Sequence, residues 1–166
     1  MTVYHGSNFE IKNPDVSFSK NFLDFGKGFY VTTLKNQAEK WALRKADRTQ
    51  KGIATVSVYD FTENLNDYKL LDFKSENEEW LDFVCECRKG SDVYKKFDII
   101  IGAVADDDVF KTVNMYFQGL WDKKKTIEEI RYYKTSNQIC ITNQDVLNKL
   151  FAFKFSYKVE SEYNDR

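Results

Sequence analysis

Two short segments hold the residues best suited to chemistry. Tyr4-His5-Gly6-Ser7 lies near the start, and residues 22–33 read Phe-Leu-Asp-Phe-Gly-Lys-Gly-Phe-Tyr-Val-Thr-Thr. In the second, Gly26 and Gly28 bracket one lysine directly ahead of Phe29-Tyr30-Val31. A strand needs glycine only where the backbone bends sharply or comes close to something else, so the backbone is cleared there for a turn or a ligand. His5 is the only histidine of 166 residues, which removes metal centres and Ser/Cys-His sites built on several imidazoles. The Gly-Lys-Gly turn lacks the third glycine of a dinucleotide-binding turn and precedes a strand, not a helix. The chain also has no P-loop, no HExxH and no Gly-x-Ser-x-Gly. Taken singly, His5 reads as a strand-end residue with a satisfied hydrogen bond, and Phe29-Tyr30-Val31 as core, because aromatics favour half-buried pleated surfaces. Their ordered pairing is what points to a pocket.

These two segments together resemble the ADP-ribosyltransferase fold, in its diphtheria-toxin-like and poly(ADP-ribose)-polymerase-like branch. The chain is similar too to a bacterial family catalogued as a domain of unknown function, which carries the same YHGS, DFGKGFYVTT, QAEKWA and GAVADD segments. The resemblance implies an α+β fold of split antiparallel sheets with flanking helices. It also implies NAD used as a substrate, with no metal. In such enzymes a strand ending in His-Gly supplies one wall of the NAD site, and a Gly-Lys-Gly-aromatic-Tyr strand supplies the other. Carried over by position, His5 holds the adenosine-side ribose, Gly6 binds the nicotinamide amide through its backbone and Tyr30 stacks on the nicotinamide ring. Ser7, Gly28 and Thr33 complete the implied contacts with NAD. The third catalytic residue is usually a Glu on a later strand; here that position falls on Gln138, in Asn137-Gln138-Ile139-Cys140-Ile141-Thr142. This departure from the pattern predicts slower turnover or a mono-transfer activity.

The residue types suit that chemistry. NAD loses nicotinamide through an oxocarbenium-like state, so a site must hold both ring systems and tolerate positive charge. Tyr30 stacked on a cationic ring would contribute roughly 1 kcal/mol where water is excluded. An amide at 138 can accept a hydrogen bond from the ribose hydroxyl but supplies no charge, so Gln138→Glu is expected to retain or raise the rate. Strand parity predicts Ile139 and Ile141 in the core, with Gln138, Cys140 and Thr142 opposite; the alternative is a surface glutamine at a strand start. Should Gln138 not serve, Glu128, Glu129 or the Asp106-Asp107-Asp108 cluster is next in line. Two function classes follow. One is an ADP-ribosyltransferase that modifies a macromolecular target and releases nicotinamide, as a bacterial toxin of a toxin-antitoxin pair or a defence effector; the toxin analogy suggests a small antitoxin partner. The other is a catalytically weak NAD or ADP-ribose sensor that kept His5 and Tyr30.

The elements that must position these residues fit one domain over 1–160 with a polar tail at 161–166. With 42% hydrophobic and 16% aromatic residues the chain can bury a core. Its single proline and the lack of Gly/Ser-rich stretches give no linker. The formal net charge of -1 argues against a protein-wide footprint for nucleic acid. Lys123-Lys124-Lys125 reads as solvating a turn between helices. Three cysteines, no leader-like start and no apolar run long enough to cross a membrane predict a reduced, cytoplasmic protein without a membrane partner. Cys85 and Cys87, two apart on a helix, point to different faces.

Periodicity places a helix over 35–48 that packs Ala38, Trp41 and Ala42 behind the Tyr30 strand, ended by Gly52. Ala54, Val56 and Val58 alternate with Thr55, Ser57 and Tyr59 as a half-buried strand, and 70–73 reads as a short one. A helix over 76–88 buries Trp80, Leu81, Phe83, Val84 and Cys87 and stops at Gly90. Phe97 to Gly102 is a strand covered on both faces. The acidic run at 106–108 caps a helix whose buried stripe is Val109, Val113, Tyr116, Phe117 and Leu120, ended by Gly119. A short helix over 126–133, the Gln138 strand and a turn or two of helix over 145–150 follow. Last comes a strand with Phe151, Phe153, Phe155, Tyr157 and Val159 on one face.

Overall fold

The structure is a computed structural model that describes residues 1–105, 107–133 and 136–160, with the side chains of residues 107 and 108 outside that set. In chain order its elements are β1 (Thr2–Ser7), β2 (Phe29–Val31), α1 (Lys35–Thr49), β3 (Thr55–Phe61), β4 (Leu70–Asp72), α2 (Glu78–Arg88), β5 (Ile99–Ala103), α3 (Asp107–Phe117), α4 (Lys123–Ile130), β6 (Asn137–Ile141), α5 (Gln144–Leu150) and β7 (Phe151–Lys158). The class is α+β with two separate sheets, of three and four strands among the described residues. The chain divides into two compact units. Among the described residues, Met1–Pro14, Val31–Asn64 and residues 148–160 form the first; Asp15–Tyr30 and Leu65–Leu147 form the second.

The first unit is built on an antiparallel sheet of order β1-β3-β7. Its central strand β3 is covered on both faces, so Thr55, Ser57 and Tyr59 are buried along with Val56 and Val58, and the expected half-buried strand is corrected. On one face Ala38 and Ala42 of α1 pack on Ala54, Val56 and Val58. On the other, the segment after β1 crosses the sheet: the Ile11 amide donates to Ser57 Oγ at 2.9 Å and the Tyr59 hydroxyl donates to the Ile11 carbonyl. The rings of Phe151 and Phe153 meet Tyr59 edge-on at 5.7 and 5.9 Å.

β7 departs from simple alternation. Tyr59 pairs with Phe153 but its neighbour Val58 pairs with Phe155, so Lys154 is an extra residue, a β-bulge. Phe151 and Phe153 therefore share the Tyr59 face, whereas Phe155 and Tyr157 stand opposite Val58 and Val56 on the α1 face. Tyr157 packs there with Val159 and donates to Glu39 Oε1 at 2.9 Å. The five residues do not line one face.

The second unit holds the sheet β2-β6-β5-β4. β5 runs antiparallel to β6 but parallel to β4, unlike the all-antiparallel pairing expected. The chain between β4 and β5 passes through α2, the helical crossover that a parallel pair requires. Trp80, Leu81 and Val84 of α2, Val109 and Val113 of α3 and Ile130 of α4 form one core with Ile100 and Cys140. The stripe on α3 is shorter than its periodicity: the helix ends at Phe117, Gly119 turns the chain with φ 74°, and Leu120 stands 63% exposed. Asp122 then caps α4, accepting from the Lys125 amide at 2.8 Å. The triplet Lys123-Lys124-Lys125 is thus the first turn of a helix over Lys123–Ile130, not a turn ahead of one over 126–133. Among the described residues no helix is long and apolar enough to cross a membrane.

Candidate functional site

In the first unit, His5 and Gly6 lie on β1, the edge strand of the three-stranded sheet. His5 stands opposite Ser57 and is half-buried on the Tyr59 face; Gly6 stands opposite Val56 on the α1 face. Helix α1 crosses so close that a Cβ on Gly6 would lie 2.0 Å from the Ala38 carbonyl oxygen and 2.7 Å from the Ala42 nitrogen. Only glycine fits there. Tyr4 exchanges both backbone hydrogen bonds with Thr32, at 2.9 and 3.0 Å, on the side away from β3. Backbone polar groups alternate along an edge strand, so Gly6, two residues on, turns its N–H and C=O to that same outer edge. Ser7 is buried, and its hydroxyl donates to Asn8 Oδ1 at 3.4 Å. Thr33 stands two residues ahead of α1, whose N-cap is Leu34; the Leu34 amide donates to Thr32 Oγ1 at 3.1 Å.

In the second unit, the Asp24–Gly28 turn is held from inside. Gly26 has φ 74° and Gly28 passes so near β6 that a Cβ would lie 2.4 Å from Cys140 Sγ. Both glycines of the turn are thus required by packing. The half-buried Tyr30 ring packs against the core, and its hydroxyl donates to the Gly26 carbonyl at 2.6 Å while accepting from the Phe25 amide at 3.1 Å. Burial pushes the Tyr30 phenol well above its ordinary range, with Cys140 and Asp24 adding to the rise. Tyr30 is therefore a neutral phenol that buttresses the turn, with its ring fixed in direction.

Gln138 is buried, 3% exposed, and not a surface residue at a strand start. Its Nε2 donates to Asp24 Oδ2 at 3.1 Å and to the Ala103 carbonyl at 3.2 Å. Asp24 is the centre of this network. Arg88 Nε and Nη2 donate to its Oδ1 at 3.1 and 2.5 Å, and the Ala105 amide donates to Oδ2 at 3.0 Å. Arg88 also lies over the Phe110 ring, 4.5 Å from its centroid. Both charges are nearly removed from water, where an ion pair holds only if its remaining donors and acceptors are satisfied.

Sequence reasoning missed Asp24 and Arg88. A carboxylate inside the otherwise apolar Phe22–Phe25 run, and a single arginine closing the apolar stripe of α2, were the available signals. Of the fallback positions, Glu128 is exposed on α4 and lines a cavity of about 610 Å3 with Lys124, Arg131 and Glu76; Glu129 is on the same helix. Asp106 and the side chains of Asp107 and Asp108 lie outside the described residues.

The chain belongs to the family described as "Protein of unknown function (DUF3990)", whose profile matches residues 1–153. No curated protein and no solved structure gives a significant match.

Proposed function

We propose that this protein is an NAD-dependent ADP-ribosyltransferase that transfers ADP-ribose to a macromolecular target and releases nicotinamide, acting in the bacterial cytoplasm as a toxin or defence effector with a small neutralising protein as partner. The observation that carries the reading is the sheet edge at Gly6. There one N–H and one C=O, side by side next to the Tyr4–Thr32 bridge, match the acceptor and donor of a primary carboxamide such as that of nicotinamide. His5, the residue before, would take the ribose hydroxyls. The resemblance implies the aromatic face of Tyr30 for the nicotinamide ring and the amide oxygen of Gln138 for the nicotinamide ribose.

One observation favours the second reading, a catalytically weak NAD or ADP-ribose sensor. Position 138 carries an amide whose nitrogen is committed to Asp24 and Ala103, so no charge from that residue favours the developing cation. Calorimetric titration with NAD and with nicotinamide, combined with release of nicotinamide from labelled NAD in the presence of cell extract, separates the two. Release with label on a macromolecule supports the transferase. Binding without release supports the sensor, and no binding up to millimolar ligand overturns both.

A further inference from the structure

We infer that Asp24 is the positioning residue for Gln138, and that position 138 requires an amide because Asp24 and the Ala103 carbonyl face it. This rests on the NAD reading only for what the Gln138 oxygen does; the pairing itself stands on geometry. A carboxylate and a backbone carbonyl accept hydrogen bonds and donate none. The end of Gln138 that lies 3.1 Å from Asp24 Oδ2 and 3.2 Å from Ala103 O is therefore its NH2, and its oxygen is turned the other way. Asp24 cannot swing aside to allow the opposite arrangement, since Arg88 grips Oδ1 through two nitrogens and the Ala105 amide holds Oδ2. Arg88 fixes Asp24, and Asp24 fixes which end of Gln138 points away.

A carboxylate at 138 would set an oxygen against two acceptors in a site 3% exposed. Such a site resists the charge. Gln138 is thus the residue type that Asp24 demands, not a worn remnant of a catalytic glutamate. The expectation that Gln138→Glu retains or raises the rate is reversed.

Melting curves of Gln138→Glu, Asp24→Asn and the double variant between pH 5 and pH 8 test the pairing without NAD. The introduced carboxyl would have its folded pKa raised by the neighbouring Asp24, so its destabilisation is small where both states are protonated and grows as pH rises from the unfolded value through the folded one. Gln138→Glu should melt at least about 5 °C below the parent at pH 8 and recover most of that at pH 5. Adding Asp24→Asn should restore at least about half of the loss at pH 8, because the like charge facing the introduced carboxylate is then removed. A residue that merely fills space would show neither the pH dependence nor the rescue. A Gln138→Glu protein that melts like the parent at pH 8, or losses that simply add in the double variant, would overturn the inference.

Nicotinamide release tests the dependent part separately. Asp24→Asn leaves one oxygen where Arg88, the Ala105 amide and the Gln138 NH2 all seek an acceptor, so the Gln138 amide loses its fixed direction and kcat should fall at least tenfold with KM for NAD within about twofold. If the melts behave as stated and kcat does not fall, Gln138 has no part in the reaction and the pairing stands.

Discussion

Tyr30 is the residue whose two roles are hardest to separate, because its hydroxyl ties down the 25–26 turn while its ring is the aromatic face we propose for nicotinamide. Tyr30→Ala removes both at once and would leave a hole in the core, so a loss of NAD binding in that variant decides nothing. Tyr30→Phe separates them. It should leave the Phe25 N–H and the Gly26 carbonyl without their partner and lower stability by roughly 1–3 kcal/mol in urea melts, while NAD affinity by calorimetry changes less than about threefold. A stable Tyr30→Phe protein would mean the hydrogen bonds seen here are weak. A folded one that no longer binds NAD would put the phenol, not the ring, in the site. At this scale residue type singled out His5, Gly6 and Tyr30 as candidates, whereas the packing reasons for Gly6 and Gly28 were not legible. Each is set by a neighbour distant in sequence, the Ala38 carbonyl and Cys140, that pattern alone cannot supply.

Most elements were legible because hydrophobic periodicity is a local signal: α1, α2, β5, β6 and α5 fall within a few residues of their predicted spans. The failures are those that depend on what lies on the second face. β3 looked half-buried because Thr55, Ser57 and Tyr59 are polar or amphipathic. Yet Ser57 and Tyr59 are buried with their hydroxyls bonded to the 8–12 segment. β7 looked uniformly amphipathic because its aromatics keep period two across the bulge, and only the pairing partners reveal that Lys154 moves Phe155 and Tyr157 to the other face. A deletion of Lys154 tests this register. With the bulge removed, Phe153 still pairs with Tyr59 and Phe155 with Val58, so every aromatic keeps its face and the only loss is the exposed Lys154–Asp60 ion pair. The deletion variant should unfold within about 1 kcal/mol of the parent by chemical denaturation. If the aromatics instead formed one continuous face, removing one residue would invert everything after it and cost several times that, on the order of burying and unburying a large side chain.

At the scale of the whole molecule, the groups among the described residues whose titration is most displaced are buried acids that must stay neutral. Burial pushes the Cys87 thiol up to about 12 and the Cys140 thiol higher. Desolvation likewise raises the phenols of Tyr30 and Tyr59. For each, the folded pKa lies above the unfolded one, so the folded state keeps a proton that the unfolded chain gives up first. Stability is then intact below the unfolded value and is lost as pH rises through it toward the folded one. Thiols titrate first, near 8.5 in an unfolded chain, and phenols near 10. The protein should therefore show a stability plateau up to about pH 8 and a decline from about pH 9, each proton adding a slope of about 1.4 kcal/mol per pH unit and the slope steepening past pH 10 as the tyrosines join. Urea denaturation under reducing conditions at half-unit steps from pH 7 to pH 11 reads this directly. Burial raises the Cys85 thiol too, so replacing Cys85, Cys87 and Cys140 together by Ala should lower stability at pH 7 through lost packing but move the onset of the decline up toward pH 10. An onset that stays at pH 9 without those thiols would assign the alkaline limit to other groups, and a profile flat to pH 11 would show that thiols and phenols are open to solvent.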